Sequence, residues 1–104
     1  MYEYRAKLIR CVDGDTIDMD VDLGGHIHAV WRLRLLDVDT PERGDPDFDV
    51  ATLTLEGLIV DEADTDGWIH ISTHGYGKYG RLLAKIGEDG CITNIMSEKW
   101  PYER

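Results

Sequence analysis

The stretch TIDMDVDL, residues 16–23, alternates polar and apolar side chains at every position. In an extended strand its apolar side chains share one face and its aspartates share the other. Such a strand is half buried, with the apolar face on a core and the acidic face in solvent. The Gly24-Gly25 pair that follows predicts a tight turn. This stretch therefore predicts a β-sheet protein with a one-sided core.

The sequence on either side of this strand predicts four more strands and two helices. The predicted strands cover residues 4–12, 16–23, 27–38, 68–73 and 81–86, and the predicted helices cover 50–63 and 93–99. Asp49 is the predicted N-cap of the first helix. The third strand has apolar residues on both faces, which predicts a strand covered on two sides.

Five strands with a helix between the third and the fourth is the element order of an OB-fold barrel. We therefore expect a mostly β, α+β fold, namely a five-stranded OB-fold barrel with one inserted helix and a short C-terminal helix. The length of 104 residues suits one modest core, so we expect a single domain over residues 1–104.

The overall charge of the chain argues against non-specific binding of DNA. The formal net charge is −10 at pH 7, which has the opposite sign to a surface that binds DNA non-specifically. The excess is concentrated in residues 37–66, which hold eleven acidic residues and one basic residue, Arg43. An acidic surface of this kind is compatible with a protein partner that brings basic residues.

The sequence also indicates a location. No apolar run approaches the roughly 20 residues that span a bilayer, so we expect no membrane contact. Residues 1–5 lack the basic and then apolar layout of a signal peptide, which predicts a cytoplasmic protein.

Cys11 and Cys91 lie beside apolar neighbours and outside any C-x-x-C or His-rich context. We therefore favour buried free thiols over a disulfide and expect no zinc site.

Asp15, in Asp13-Gly14-Asp15-Thr16, is the first candidate functional residue. Continued backwards, the alternation of the second strand puts Asp15 in phase with Ile17 and so on the apolar side. An unpaired buried carboxylate is unfavourable, so Asp15 requires a cation or strong hydrogen-bond donors. The structural alternative is an Asx-turn in which Asp15 only caps Gly14 and Thr16.

The segment RLLDVDTPE, residues 34–42, adds three charged candidates. Arg34 lies among leucines, where a buried ion pair with Asp37 or Asp39 explains it as well as a functional role does. Strict alternation puts Arg34 and Asp39 on opposite faces, so a twist or a bulge must bring them together. Glu42 follows Thr40-Pro41 in a turn, and taken alone it fits a solvated loop residue.

Lys78-Tyr79-Gly80-Arg81 lies where a loop meets the last strand. Gly80 allows the backbone to bend and to direct Arg81 into a cleft, although a plain hairpin turn with an exposed base is the alternative. Carboxylates that hold a hard cation, together with arginines that hold a phosphate, are what phosphodiester cleavage needs. The three segments together therefore predict an enzyme that cleaves phosphodiesters.

With these three segments in this order and spacing, the chain resembles the staphylococcal nuclease (thermonuclease-like) family over roughly residues 5–100. The resemblance implies a calcium-dependent nuclease that hydrolyses phosphodiester bonds of DNA, RNA or both. The implied roles are Asp15, Asp39 and the Thr40 carbonyl as Ca²⁺ ligands, Glu42 as general base, Arg34 and Arg81 as phosphate-binding catalytic residues, and Lys78, Tyr79 and Tyr102 as contacts of the bound nucleotide. It also implies a bacterium or a bacterial virus as the source.

Two departures from the family affect substrate binding. Residues 44–66 are acidic where the family often carries lysines, and the chain ends soon after the last predicted helix. We therefore expect a weakly binding, cation-dependent enzyme that acts as a monomer. The alternative is a catalytically weak or inactive OB-fold module that binds nucleic acid or a protein partner.

Overall fold

Five strands close into one barrel over residues 1–102, the part of the chain that this computed structural model describes. The strands are β1 (Tyr2–Cys11), β2 (Thr16–Gly24), β3 (Ile27–Leu35), β4 (Trp68–Tyr76) and β5 (Leu82–Ile86). The helices are α1 (Phe48–Glu62) and α2 (Cys91–Lys99), with short 3-10 turns at Lys78–Gly80 and Glu88–Gly90. The predicted OB-fold barrel with an inserted and a C-terminal helix is confirmed.

The strands follow each other around the barrel in the order β1-β2-β3-β5-β4. The pair of β3 and β5 is parallel, and the other four pairs are antiparallel. Only Leu33–Leu35 of β3 pair with β5, at Leu82–Ala84. The first half of β3 therefore has no β5 neighbour, and a cleft opens on that side of the barrel.

The alternation of β2 supplies part of the core, as predicted. Ile17, Met19 and Val21 have no exposed surface. On the outer face, Asp18 accepts hydrogen bonds from Arg32 at 2.8 and 3.1 Å and from Arg10 at 3.3 Å. The acidic face of β2 is thus partly neutralised by bases of the neighbouring strands.

The prediction for the third strand was wrong in two respects. It ends at Leu35 instead of residue 38, because Asp37 adopts a positive φ of 61° that an extended strand does not allow. Its first half is not covered on two sides: Ile27 and Val30 are 62% and 67% exposed. The helices pack chiefly on β1 and β5 and leave this part of β3 open.

Helix α1 begins two residues before the predicted start. Asp47, not Asp49, holds the N-cap position, and it makes no capping hydrogen bond with its side chain. Asp49 lies in the first turn, where its negative charge interacts favourably with the positive, N-terminal end of the helix dipole. Ala51, Leu55 and Ile59 are the buried residues of α1 and face the barrel at helical spacing.

The two cysteines are free and half-buried. Burial, with the negative charges of Glu56 and Asp13, raises the pKa of the Cys11 thiol to about 12. Burial also raises the pKa of Cys91, whose thiol donates to the Glu62 carboxylate at 2.8 Å. Within residues 1–102, no helix is long and apolar enough to cross a membrane.

Candidate functional site

A cleft of about 860 Å³ lies beside the open half of β3. Its lining includes Asp15, Arg34, Asp39, Thr40, Glu42 and Arg81, which are the six residues assigned above to metal binding and catalysis. They come from the loop before β2, the end of β3, the segment that follows β3, and the residue before β5. Four separate parts of the chain therefore bring the predicted catalytic and metal-binding residues to one cavity.

The loop before β2 holds Asp15 in the barrel wall. The backbone N–H groups of Val12 and Asp13 both donate to the Thr16 carbonyl, at 2.9 and 3.2 Å. The Asp15 carbonyl accepts the N–H of Leu35 at 2.8 Å, which ties the loop to the end of β3. Asp15 is 7% exposed, so the burial predicted from the alternation of β2 is confirmed.

The Asp15 carboxylate is surrounded by donors. It accepts the Thr40 backbone N–H at 3.0 Å and the Thr16 hydroxyl at 3.0 Å, and Arg34 Nη1 lies 3.1 Å from Oδ2. Burial alone would raise the pKa of Asp15. The hydrogen bonds from Asp13, Thr40 and Thr16 and the charge of Arg34 outweigh it, so the pKa lies below its usual value. Asp15 is therefore a buried anion, and it does more than cap a turn.

Arg34 occupies the centre of the site, with a side chain only 12% exposed. Its Nη1 donates to the Val38 carbonyl at 2.6 Å and contacts Asp15, and its Nη2 lies 3.9 Å from Asp39 Oδ1. The turn at Asp37, with its positive φ, reverses the chain after β3 and brings Asp39 back towards Arg34. Strict alternation would put Arg34 and Asp39 on opposite faces of the strand, and this turn is what brings them to the same side.

Asp39 and Glu42 provide exposed carboxylates at the edge of the cleft. The Asp39 side chain is 54% exposed, and its backbone N–H donates to the Trp100 carbonyl at 3.0 Å. Glu42 is exposed, and within residues 1–102 it has no ion-pair partner. Both carboxylates are open to a cation or to water in the cleft.

Arg81 borders both this cleft and a second cavity of about 330 Å³. The second cavity is also lined by Arg34 and by the three predicted nucleotide contacts, Lys78, Tyr79 and Tyr102. Arg81 lies over the Tyr79 ring, 5.7 Å from its centroid, and within the described residues no carboxylate pairs with it. The predicted nucleotide contacts thus adjoin the predicted catalytic arginines.

Asp13 is a site residue that was not predicted from the sequence. It lines the cleft, and its Oδ1 accepts the Asp15 N–H at 3.0 Å, so the Asx-turn belongs to Asp13. Burial and the neighbouring Asp15 carboxyl raise the pKa of Asp13 to about 6, although hydrogen bonds from the Asp15 N–H and Thr16 act in the opposite direction. The Asp-x-Asp spacing was the signal that could have identified it.

The oxygen donors of the cleft fit a hard divalent cation. Asp15 and Asp39 both lie within 4 Å of the Arg34 guanidinium, and the Thr40 backbone adjoins Asp15. Within residues 1–102 no three His, Cys, Asp or Glu side chains form a metal cage, so most ligands would come from the backbone, water or substrate. Calcium accepts six to eight such oxygens in irregular arrangements.

The sequence of the chain is related to that of a known protein. No protein-family model matches the chain. The chain is similar to Protein ParB of Escherichia coli, with 34% identity over 90 residues. The match covers 81% of this chain and 42% of the relative, so the chain spans less than half of the length of that protein.

Proposed function

We propose that the protein is a calcium-dependent nuclease of the staphylococcal nuclease type, which hydrolyses phosphodiester bonds of DNA, RNA or both. The observation that carries the proposal is the convergence of Asp15, Arg34, Asp39, Glu42 and Arg81 on one cleft. A barrel of this size has no structural need for two arginines and three carboxylates at one opening. Their chemistry matches a reaction in which negative charge increases on an anionic phosphate.

Arg34 is already oriented for a phosphate. Its Nη1 is occupied by the Val38 carbonyl and Asp15, which fixes the plane of the guanidinium. Within the described residues, no hydrogen bond uses its Nε, and the 3.9 Å separation of Nη2 from Asp39 is too long for one. These two nitrogens form the fork that binds two oxygens of one phosphate. Arg81 borders the same cleft and pairs with no carboxylate of residues 1–102.

Asp15, Asp39 and the Thr40 carbonyl are the proposed calcium ligands. A bound Ca²⁺ supplies positive charge to the phosphoryl oxygens. Asp13 adds a second carboxyl beside Asp15, so four acidic side chains line the cleft. Three arginines also line it, and one of them, Arg32, is already paired with Asp18, so the cleft retains an excess of negative charge that favours a cation.

Glu42 is the proposed general base. Its exposed carboxylate accepts a proton from a water molecule as the water oxygen attacks phosphorus. The bond from phosphorus to the leaving oxygen breaks, and that oxygen takes a proton from solvent in the open cleft. Arg34 and Arg81 stabilise the charge on the two non-bridging oxygens, and losing one such contact typically lowers the rate about 10²–10³-fold.

The proposal is tested by digesting single-stranded and duplex DNA and RNA in calcium, in magnesium and in chelator. We expect cleavage in calcium, none in chelator, and strong loss in Glu42→Gln and Arg81→Ala. Matched controls are Glu98→Gln on the exposed side of α2 and Arg5→Ala on β1, which are expected to retain the wild-type rate. Wild-type rates in both site variants would overturn the assignment. Binding without cleavage would identify an inactive binding module instead.

A further inference from the structure

The cleft extends well past the predicted catalytic residues, along a wall that the proposed chemistry does not use. This wall is formed by Tyr2, Tyr4, Val30, Trp31, Thr73 and Tyr76, and we call it the aromatic wall. Lys78, Tyr79 and Tyr102 are not part of this wall and line the second cavity instead. Arg34 and Arg81 border both cavities, so the proposed scissile phosphate lies between two distinct binding surfaces.

The aromatic rings of the wall differ in exposure. Tyr4 and Trp31 pack edge to face, with centroids 5.4 Å apart and planes at 89°, and both are partly buried against the core. Tyr2 and Tyr76 are 71% and 75% exposed. Gly75, at a φ of 85°, lies where the pairing of β4 with β5 shifts register, just before Tyr76. The wall thus has a fixed aromatic floor and two exposed tyrosine rings.

The wall is nearly free of unpaired charge. Arg32, which follows Trp31 and also lines the cleft, is held by Asp18 through contacts of 2.8 and 3.1 Å. A surface that follows a phosphate backbone needs free lysines and arginines, and a chain with a net charge of −10 has few to offer. Exposed aromatic rings instead suit the flat faces of nucleobases, whose stacking does not depend on charge.

We propose that the aromatic wall is a base-stacking subsite, which binds unpaired bases of a single strand in the first cleft, separately from the second cavity that Lys78 and Tyr79 line. This inference rests on the proposed nuclease function, because it takes the strand to enter through that cleft. It explains how an acidic protein holds a polyanion: the wall contacts the bases, while the phosphate charge meets Arg34, Arg81 and the proposed calcium ion. Tyr76 and Tyr2 are the residues that stack, and Trp31 with Tyr4 supports them.

The test compares two strands of equal length in chelator, so that binding is measured without cleavage. One is a thymidine oligonucleotide of about ten nucleotides, and the other carries the same phosphates on abasic sugars. We expect Tyr76→Ala to weaken binding of the thymidine strand about 5- to 140-fold and to leave the abasic strand unchanged. Tyr76→Phe keeps the ring and is expected to bind like the wild type. Leu53→Ala, 66% exposed on α1 and outside the cleft, is the matched surface control.

Tyr2→Ala is a second variant that gives the same comparison independently, should Tyr76→Ala not fold. Equal affinity of wild type and both alanine variants for the thymidine strand would overturn the subsite, as would an equal loss for both strands. Failure of the wild type to bind the thymidine strand would also overturn it. The nuclease proposal is judged separately by cleavage in calcium. Base-selective binding without cleavage would support the base-stacking subsite and contradict the proposed nuclease activity.

Discussion

Gly14 tests how closely the site depends on packing, because a single added methyl group has no room there. A Cβ on Gly14 would lie 2.7 Å from Ala51 Cβ, 2.8 Å from Thr40 Cγ2 and 3.0 Å from Thr40 Cβ. Carbon atoms pack favourably at about 3.5–4.0 Å. The Cβ atoms of Ala51 and Thr40 are fixed by their own backbones, so a rotamer change of Thr40 relieves only the contact with Cγ2. In Gly14→Ala, the loop must therefore move away from α1 and Thr40 by about 1 Å.

This displacement has two measurable consequences. Overpacking of this kind typically lowers the free energy of unfolding by about 1–3 kcal/mol, which urea denaturation resolves. The same shift stretches the 3.0 Å hydrogen bond from the Thr40 N–H to Asp15 and moves two of the three proposed calcium ligands, Asp15 and Thr40. A misplacement of about 1 Å at a catalytic centre lowers activity about 10²-fold. We therefore expect a comparable loss of kcat/KM in calcium.

Gly57 provides the matched control for this change. It lies on the exposed side of α1, and a Cβ there would meet nothing within 4 Å. Alanine is the better helix former, so Gly57→Ala is expected to raise the free energy of unfolding by about 0.5–1 kcal/mol and to leave cleavage unchanged. A Gly14→Ala protein as stable and as active as the wild type would refute the reasoning.

Three further predictions follow from individual side chains. Arg34→Lys loses the fork of Nε and Nη2 and is expected to lower kcat about 10²–10³-fold, and a change below threefold would contradict the role. In metal-free buffer, Asp13→Asn is expected to be more stable than the wild type by about 1–3 kcal/mol at pH 7 and equal to it near pH 3.5. The reason is that a pKa raised to about 6 removes stability from the wild type as the pH rises through that value. Urea titrations at both pH values check this, and a wild type more stable at pH 7 would refute it. Cys11, with its pKa raised to about 12, is expected to react with iodoacetamide at pH 8 about 10³-fold more slowly in the native protein than in guanidinium. Mass spectrometry of the labelled peptide measures the ratio, and equal rates would contradict it.

The sequence predicted the barrel because its local patterns agree with the global fold. The alternation of residues 16–23 correctly predicted the buried face of β2, and its extension predicted the burial of Asp15. The element order was enough to predict the OB-fold. These features depend on strand periodicity, which the sequence carries directly.

Where the sequence reasoning failed, the deciding contacts are made by distant parts of the chain. Nothing local shows that β3 ends at Leu35, because the positive φ of Asp37 is imposed by the turn that returns the chain to the barrel. The exposure of Val30 depends on where the helices pack. The raised pKa of Asp13 arises first from its burial, which depends on how the chain packs around it, and then from the neighbouring Asp15 carboxyl. Periodicity alone indicates none of these features.

The dependence of cleavage on calcium tests the central claim most directly. The rate of cleavage of a single-stranded oligonucleotide is measured across a calcium titration, for the wild type and for Asp39→Asn. We expect a saturable rise in the wild type that chelator abolishes, and a half-maximal concentration shifted upwards in Asp39→Asn. A rate that is the same in calcium and in chelator, or the absence of cleavage at any calcium concentration, would contradict the account.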